Sequence, residues 1–496
     1  MLNLPHRSFV GLEECARAAG LTKGTCSMPS ILHDHHNNPL AGSTESIASY
    51  DRAVDRLLRF HPDVLVAADE LATEHSHLAM GQAFIAFLHL MSTDADDLSG
   101  AQAAAVNLRA GAEHPRERLH SAAVDAWLAG DWTGASAVLD DVLRQWPTDL
   151  LALAIGHQLD FFLGDAANLR DRVGRSLPEF DPEAPHSGFV RGMHAFGLEE
   201  AGHYGAAEQA GLAALEANPD DVWGVHAVVH TYEMQGRVAD GVRFMLERQD
   251  DWGAGNLFTT HNWWHLSLYA LEAGDTSRAL DIYDEHIHND GAAGVPIEML
   301  DASALLWRLL LDGAETGGRF GRLADSWSSK AGSEPWYVFN DVHAVMAYVG
   351  SARFDDAAET IARLRNYATD ATGTNGYMAA TIGIPVAEAL LAFGQGRYAD
   401  AVAGLGPIRR DVHRFGGSHA QRDALQRMLL EASLRAGDRD LARALTAERL
   451  STRNASNYNW LQRSRALRAS GDDAGSAVAA AAADQHRGQF AAAFEV

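Results

Sequence analysis

The chain has 496 residues, 47% of them hydrophobic, and its 40 basic against 66 acidic side chains give a formal net charge of −26. This length exceeds what one hydrophobic core needs, so we expect several domains or one repeat array. A surface this acidic repels phosphate backbones and anionic lipid, so we expect no nucleic-acid partner and no membrane partner.

The first segment, residues 1–44, is predicted to be irregular, because prolines and glycines interrupt any helical period. It has no continuous apolar stretch of signal-peptide type, and we find no apolar run of transmembrane length elsewhere. Cys15 and Cys26 are too few to staple so long a chain. The sequence therefore predicts a cytoplasmic protein. We interpret the histidine-rich run 33–36 as a solvated loop.

Residues 45–115 are predicted to form N-terminal helices. Apolar residues from Ile47 to Leu58 recur every three or four positions, and this pattern ends before Pro62. A second apolar helix is predicted over 64–91.

Residues 116–496 carry a repeat, which is the strongest signal in the sequence. Helix-ending turn residues recur 34 to 44 residues apart, close to the period of tetratricopeptide repeats. Glycine suits this place because the residue after a helix often adopts the left-handed conformation. The turn residues are Gly130, Gly164, Gly202, Gly236, Gly274, Gly313, Ala352, Gly396, Gly437 and Gly471.

A small residue follows most of these turns by five positions, where a second helix must pack closely on the first. These residues are Ala135, Ala207, Ala279, Ala357, Ala401 and Ala442. The predicted fold class is therefore all-α: an α-α superhelix of about eight to ten tetratricopeptide-like helix pairs. Long spacings in the middle of the array predict that it curves into a closed pocket.

Two neighbouring repeats each carry a pair of histidines at positions i and i+4: His226 with His230, and His261 with His265. On an α-helix this spacing places both imidazoles on one face. First helices line the concave surface of such arrays, so we predict that both pairs face it. In the same register Trp223, Trp264, Phe196, Glu233 and His343 face the groove, with Asp341 nearby.

The chemistry of this patch is left open between two readings. Paired histidines at this spacing can hold a metal ion, although the Glu that follows the first His of a zincin helix is missing. Alternatively, the imidazoles exchange protons at neutral pH without a metal. We find no dinucleotide fingerprint, Walker loop, nucleophile elbow or paired C-x-x-C. The turn before Gln421 is interpreted as a helix start with Ser418 as its N-cap.

Several of these segments resemble the tetratricopeptide repeat protein 38 family. The resemblance rests on the run Asp221–Arg237, on His261-Asn-Trp-Trp-His265, on Ala279–Asp284, on Asn340–His343 and on Gly416–Asp423. It covers the chain from about Pro39 onward and implies a helical-repeat fold whose biochemical activity is poorly established. It also implies that one site comprises His226, His230, Glu233, His261, His265, Asp341, His343, Gln421, Arg422 and Asp423.

Three functional hypotheses follow. The first is an enzyme, a lyase or hydrolase for a small organic molecule, with His226 or His230 as general acid or base and Glu233 and Asp341 as orienting carboxylates. Trp223 and Trp264 would form its walls, and Phe196, Gln421, Arg422 and Asp423 would also bind substrate. Its cofactor would be none or a divalent metal, the latter held by the four paired histidines. The alternatives are a non-catalytic scaffold for protein partners and a homo-oligomer with the Trp and His patch as its interface.

Overall fold

A computed structural model describes residues 31–289, 291–292, 294–330 and 334–495 of the chain. Residues 1–30, and with them both cysteines, lie outside this range. The predicted irregular segment contains a short antiparallel hairpin, in which Leu32 pairs with Leu40. Its strands are β1 (Ile31–His33) and β2 (Pro39–Ala41).

Within residues 31–114 of the described structure, four helices precede the repeats. The predicted single helix over 64–91 is wrong, because the polar segment after Thr73 ends one helix and Ala79 begins the next. Leu78 is fully buried in this break and joins the core of both neighbouring helices. The helices are α1 (Thr44–Leu58), α2 (Val64–Thr73), α3 (Ala79–Met91) and α4 (Leu98–Gly111).

Ten helix pairs follow within the described residues, which confirms the predicted all-α superhelix. The pairs are α5 (Pro115–Leu128) with α6 (Trp132–Gln145), α7 (Leu150–Leu163) with α8 (Ala166–Ser176), α9 (Ser187–Glu200) with α10 (Tyr204–Ala217), α11 (Val222–Met234) with α12 (Val238–Glu247), α14 (Thr259–Glu272) with α15 (Thr276–Ile282), α16 (Pro296–Leu311) with α17 (Arg319–Ser328), α18 (Val338–Gly350) with α19 (Phe354–Asp370), α21 (Ile384–Gly394) with α22 (Tyr398–Leu405), α23 (His419–Ala436) with α24 (Arg439–Thr452), and α25 (Asn457–Ala469) with α26 (Asp473–Ala493).

Short elements complete the chain. The helices α13 (Gln249–Trp252) and α20 (Thr374–Met378) lie between pairs, and π-helical turns follow α15 at Tyr283–Ile287 and α20 at Ala379–Gly383. Short 3-10 turns occupy Ala95–Asp97, Leu177–Glu179 and Val412–Phe415.

Each of the ten predicted turn residues has a positive φ, including Ala352 at 60°. The six predicted alanines are at most 1% exposed, because each lies where two helices of a pair touch. Many of the helices begin at an aspartate whose carboxylate accepts backbone N–H groups, which satisfies donors that the first turn leaves unpaired. These caps are Asp131, Asp149, Asp165, Asp221, Asp275, Asp438 and Asp472.

The array closes on itself. The last helix, α26, packs against α12 and α14, and α23 packs against α11 and α16. Turns of early pairs also contact late segments: the Thr374 N–H donates to the Gly130 carbonyl at 2.8 Å, and the His419 N–H donates to Glu200 at 2.8 Å. A Cβ on Gly164 would lie 1.8 Å from the His413 carbonyl oxygen. The face formed by the first helices is thus covered by later repeats.

One helix in the described residues has the length and composition to cross a membrane, contrary to our reading of the sequence. It is the continuous helical stretch Thr374–Gly394, with mean hydropathy 1.5. About 61% of it is buried inside the protein, where it packs against α18, α19 and α22. A core helix of a repeat array meets the same test, so this stretch is weak evidence for a membrane span.

Candidate functional site

Two neighbouring first helices position the predicted histidine pairs. The Asp221 carboxylate accepts the backbone N–H groups of Trp223 at 3.1 Å and Gly224 at 3.0 Å, which fixes the start of α11. Every residue of α11 is buried, as expected for a helix that is apolar nearly all round. One turn apart on α11, His226 and His230 face the corresponding pair on α14.

The four imidazoles form one buried cluster, which we call the histidine cluster: His226, His230, His261 and His265. One ring nitrogen from each histidine lies within 4.8 Å of those of the other three. The Nε2 atoms of His226 and His261 are 3.2 Å apart, and the ring centroids of His230 and His265 are 4.4 Å apart. None of the four is more than 8% exposed. The histidine cluster is therefore enclosed, in agreement with the predicted closed pocket.

Three carboxylates stand behind the cluster. The Nδ1 atom of His261 lies 2.8 Å from Asp301 Oδ2, and that of His265 lies 3.2 Å from Glu233 Oε2. The Nδ1 atom of His230 lies 3.5 Å from Glu199 Oε2. A carboxylate accepts from Nδ1–H and so leaves the Nε2 lone pair of the same ring free. The Nε2 lone pairs of His261 and His265 are then available toward the centre of the cluster, whereas His230 Nδ1 makes no hydrogen bond to Glu199.

Several of these buried atoms lack hydrogen-bond partners among the described residues. They include the Nε2 of His265, both ring nitrogens of His230, the Nδ1 of His226 and both carboxylate oxygens of Glu199. A buried polar group without a partner costs about 1–3 kcal/mol. So many unpartnered polar atoms at one place indicate a binding site whose ligand supplies the missing partners.

Burial decides the protonation of the cluster. It lowers the pKa of His226, His230 and His265 well below 6.5, and neighbouring imidazoles lower it further. Burial raises the pKa of Glu199 well above its usual value, with Glu200 adding to the effect. Burial also raises the pKa of Glu233, which Arg453 opposes. These three histidines are therefore neutral at neutral pH, the state in which imidazole binds metals.

Aromatic rings border the cluster. The ring of Phe196 lies 4.9 Å from His226, and that of Trp223 also lies 4.9 Å from it. Trp264 is stacked on His261 at 5.3 Å, with the guanidinium of Arg308 on its ring at 5.4 Å. The structure thus places the predicted Trp223, Trp264 and Phe196 beside the histidines, where they are buried.

A charged network adjoins the cluster through Glu233. Asp423 accepts hydrogen bonds from Arg427 at 2.8 Å and Arg453 at 2.7 Å. Burial alone would raise the pKa of Asp423, but Arg449, Arg453 and Arg427 hold it well below its usual value. Glu233, Arg308, Asp423, Arg427 and Arg453 together line a cavity of about 20 Å³, room for one water molecule.

Other predicted site residues have different surroundings. Gln421 forms a capping box with Ser418, which confirms that Ser418 is the N-cap of α23. Arg422 donates to Glu200 at 3.1 Å and to the Gly417 carbonyl. Glu200 in turn belongs, with Glu199 and His230, to a second group of buried potential ligands.

Asp341 and His343 are not joined to the cluster by any contact in the described structure. Half-buried Asp341 lines a separate cavity of about 60 Å³ with Trp336 and Lys330. Burial raises its pKa to about 6. His343 Nδ1 donates to the Phe339 carbonyl at 2.8 Å. Arg308, whose guanidinium lies over Trp264, helps to lower the pKa of His343. Membership of Asp341 and His343 in one site with the four histidines stays a prediction.

Sequence reasoning placed Glu199 on the concave face but gave no role to Asp301 or Arg308. Asp301 and Arg308 lie within an otherwise apolar helix, the run Met299–Leu311, and both are at most 1% exposed. A charged residue in such a run needs a buried partner, which was the available signal.

No protein-family model matches the chain. Solved structures with similar folds include the human IFIT1 dimer with PPP-AAAA, at 10% identity and TM-score 0.38, covering 92% of this chain and 96% of that one. The P58(IPK) TPR domain has 12% identity and TM-score 0.22, covering 77% and 97%. These likenesses concern the fold alone, and membership of the tetratricopeptide repeat protein 38 family stays a prediction. Its ten helix pairs in the described residues and their positive-φ turns show that the protein is a tetratricopeptide-like helical repeat protein.

Proposed function

We propose that the histidine cluster binds a divalent transition metal inside the repeat array. The observation that carries the proposal is the convergence of four buried imidazole nitrogens within 4.8 Å of one another. Imidazole suits zinc, copper, iron and nickel, and four such ligands fit a tetrahedral zinc site.

The carboxylates support the same proposal. Metal-ligating histidines usually donate their other ring N–H to a carboxylate, carbonyl or water, which orients the ring and makes it a better ligand. Asp301 at 2.8 Å and Glu233 at 3.2 Å hold this relation to His261 and His265. A cation also lowers the energy of leaving Glu199 ionised beside it.

Elemental analysis tests this function. Untagged protein, purified with zinc and then dialysed, is expected to hold about one zinc per chain, since one cluster supplies all four ligands. His261→Ala and His265→Ala are expected to lose it. His343→Ala is the matched control, because it removes a buried histidine outside the cluster and should keep the metal. Wild-type protein that holds no transition metal after this treatment would overturn the proposal.

A second function, a scaffold for protein partners, is favoured by the repeat fold itself, because such arrays present extended surfaces for binding. In this chain α23 covers the face of α11 and α16, so a partner would bind the outer surfaces. The test is a partner recovered by pull-down and then measured with purified components by calorimetry. A scaffold should keep that affinity in His261→Ala protein that remains folded.

An enzyme for a small molecule is a more specific version of the first proposal, in which the bound metal takes part in catalysis. A lyase or hydrolase at this cluster would use metal-activated water, which bound zinc supplies by lowering the pKa of water to about 7. The metal measurement therefore precedes any search for a substrate.

A further inference from the structure

One of the four histidines differs from the rest. His261 and His265 each have Nδ1 hydrogen-bonded to a carboxylate, at 2.8 Å and 3.2 Å. His230 Nδ1 faces Glu199 Oε2 at 3.5 Å, close enough for an ion pair but without a hydrogen bond. The Nδ1 of His226 has no hydrogen-bond partner among the described residues.

His226 is surrounded instead by aromatic rings. Phe196 and Trp223 both lie at 4.9 Å, and Phe258 lies edge-on at 5.0 Å. Farther out, Phe60 stacks on Trp223 at 5.5 Å and contacts Phe258 at 5.0 Å. We call Phe196, Trp223 and Phe258 the aromatic cage.

This difference between the histidines predicts which of them bind a metal most strongly. A carboxylate behind a ligating histidine typically changes metal affinity about 10- to 100-fold. His226 lacks that support, and rings that accept no strong hydrogen bond leave its orientation less constrained. Three firmly held ligands and one replaceable position is the arrangement that catalytic metal centres use.

We propose that His230, His261 and His265 hold the metal, while His226 occupies a fourth position that a small external ligand can take. This inference rests on the proposed metal-binding function. The ligand is a monodentate donor that is neutral or singly charged, of the size of water, azide or imidazole. The cage sets these limits, because apolar rings leave little space and solvate multiple charges poorly.

The test uses cobalt(II), whose visible spectrum reports coordination, on His226→Ala and on the three other single alanine variants. His226→Ala is expected to keep near-stoichiometric cobalt, because three protein ligands remain, as in catalytic zinc sites. Added imidazole or azide should then shift its visible bands, because the removed side chain leaves room at the metal. The other three variants are expected to lose cobalt on dialysis.

Further variants keep the outcome interpretable. His226→Phe fills the cage with a ring of similar size and should also retain cobalt, which separates ligand loss from misfolding. Loss of cobalt from both His226 variants, with folding intact, would overturn the inference while wild-type binding still supports the metal centre. Retained cobalt with bands that neither imidazole nor azide shifts would also overturn it. A wild-type protein without cobalt or zinc would instead overturn the proposed function.

Discussion

The carboxylate of Glu272 accepts a hydrogen bond from the Ser456 hydroxyl at 2.9 Å, although 184 residues separate the two in the chain. Glu272 ends the helix that carries His261 and His265, and it also pairs with Arg427 of α23 at 3.3 Å. The last repeats are therefore tied to the helix that builds the histidine cluster.

Removal of this tie should destabilise the whole array. We expect Glu272→Ala to lower the free energy of unfolding by about 1–3 kcal/mol, because it leaves the buried Ser456 hydroxyl without its acceptor while Arg427 keeps Asp423 as a partner. Urea denaturation measures the change. Glu388→Ala removes the exposed partner of Arg365 and should cost only about 0–1 kcal/mol. Equal effects from the two variants would contradict a specific stabilising role for the contacts of Glu272 with the last repeats.

The carboxylate behind His261 should tune metal affinity. We expect Asp301→Asn to weaken zinc binding by about 10- to 100-fold, since the neutral amide is a poorer acceptor for Nδ1–H. Competition with a chromophoric chelator gives the affinity. Asp341→Asn is the matched control, because Asp341 lines the separate cavity and should leave zinc binding unchanged. If both substitutions leave the affinity unaltered, Asp301 has no part in the site.

The metal-free protein should lose stability with acid through His226. Burial lowers its folded pKa well below 6.5, so the unfolded state takes up the proton first as the pH falls. A histidine whose pKa is lower in the folded than in the unfolded protein stabilises the fold above pH 6.5. This stabilisation is lost as the pH falls below 6.5. The wild-type minus His226→Phe difference in unfolding free energy should fall by at most about 1.4 kcal/mol per pH unit below 6.5.

Denaturant titrations of the two metal-free proteins from pH 7.5 to 5 measure this difference. Comparison of the pair removes the contributions of buried acids such as Asp341, whose raised pKa acts in the opposite direction. A difference that does not vary with pH would show that His226 is not buried in its neutral form.

The alanine turn offers a stabilising change. Ala352 has φ 60° in the position that glycine occupies in the other nine pairs. The left-handed conformation costs a residue with a Cβ about 1–2 kcal/mol, so Ala352→Gly should raise the unfolding free energy by about 1 kcal/mol. Gly437→Ala, with φ 76° and open space around it, should lower stability by a similar amount. Thermal unfolding of both variants checks the opposite signs.

Local signals predicted a large part of the fold. The ten turn residues and the six helix-contact alanines follow from φ and from residue size, both of which act within a few positions of the chain. The histidine pairs share a helix face for the same reason. The sequence pattern failed at 64–91, where a short polar break separates two apolar helices that look continuous by composition.

The carboxylate partner of His261 lay beyond such signals, because Asp301 reaches it from a helix 40 residues away. Glu233, which contacts His265 across 32 residues, was among the predicted orienting carboxylates.

By itself, the sequence determined an all-α repeat array and which residues share a helix face, since helical periodicity and turn geometry are local properties. Only the tertiary structure decided how closely the four imidazoles approach, that carboxylates hydrogen-bond to two of them, and that α23 covers the groove of first helices. The curvature of a superhelix accumulates small rotations over many repeats. Contacts across it therefore depend on all the repeats between them, which no short pattern encodes.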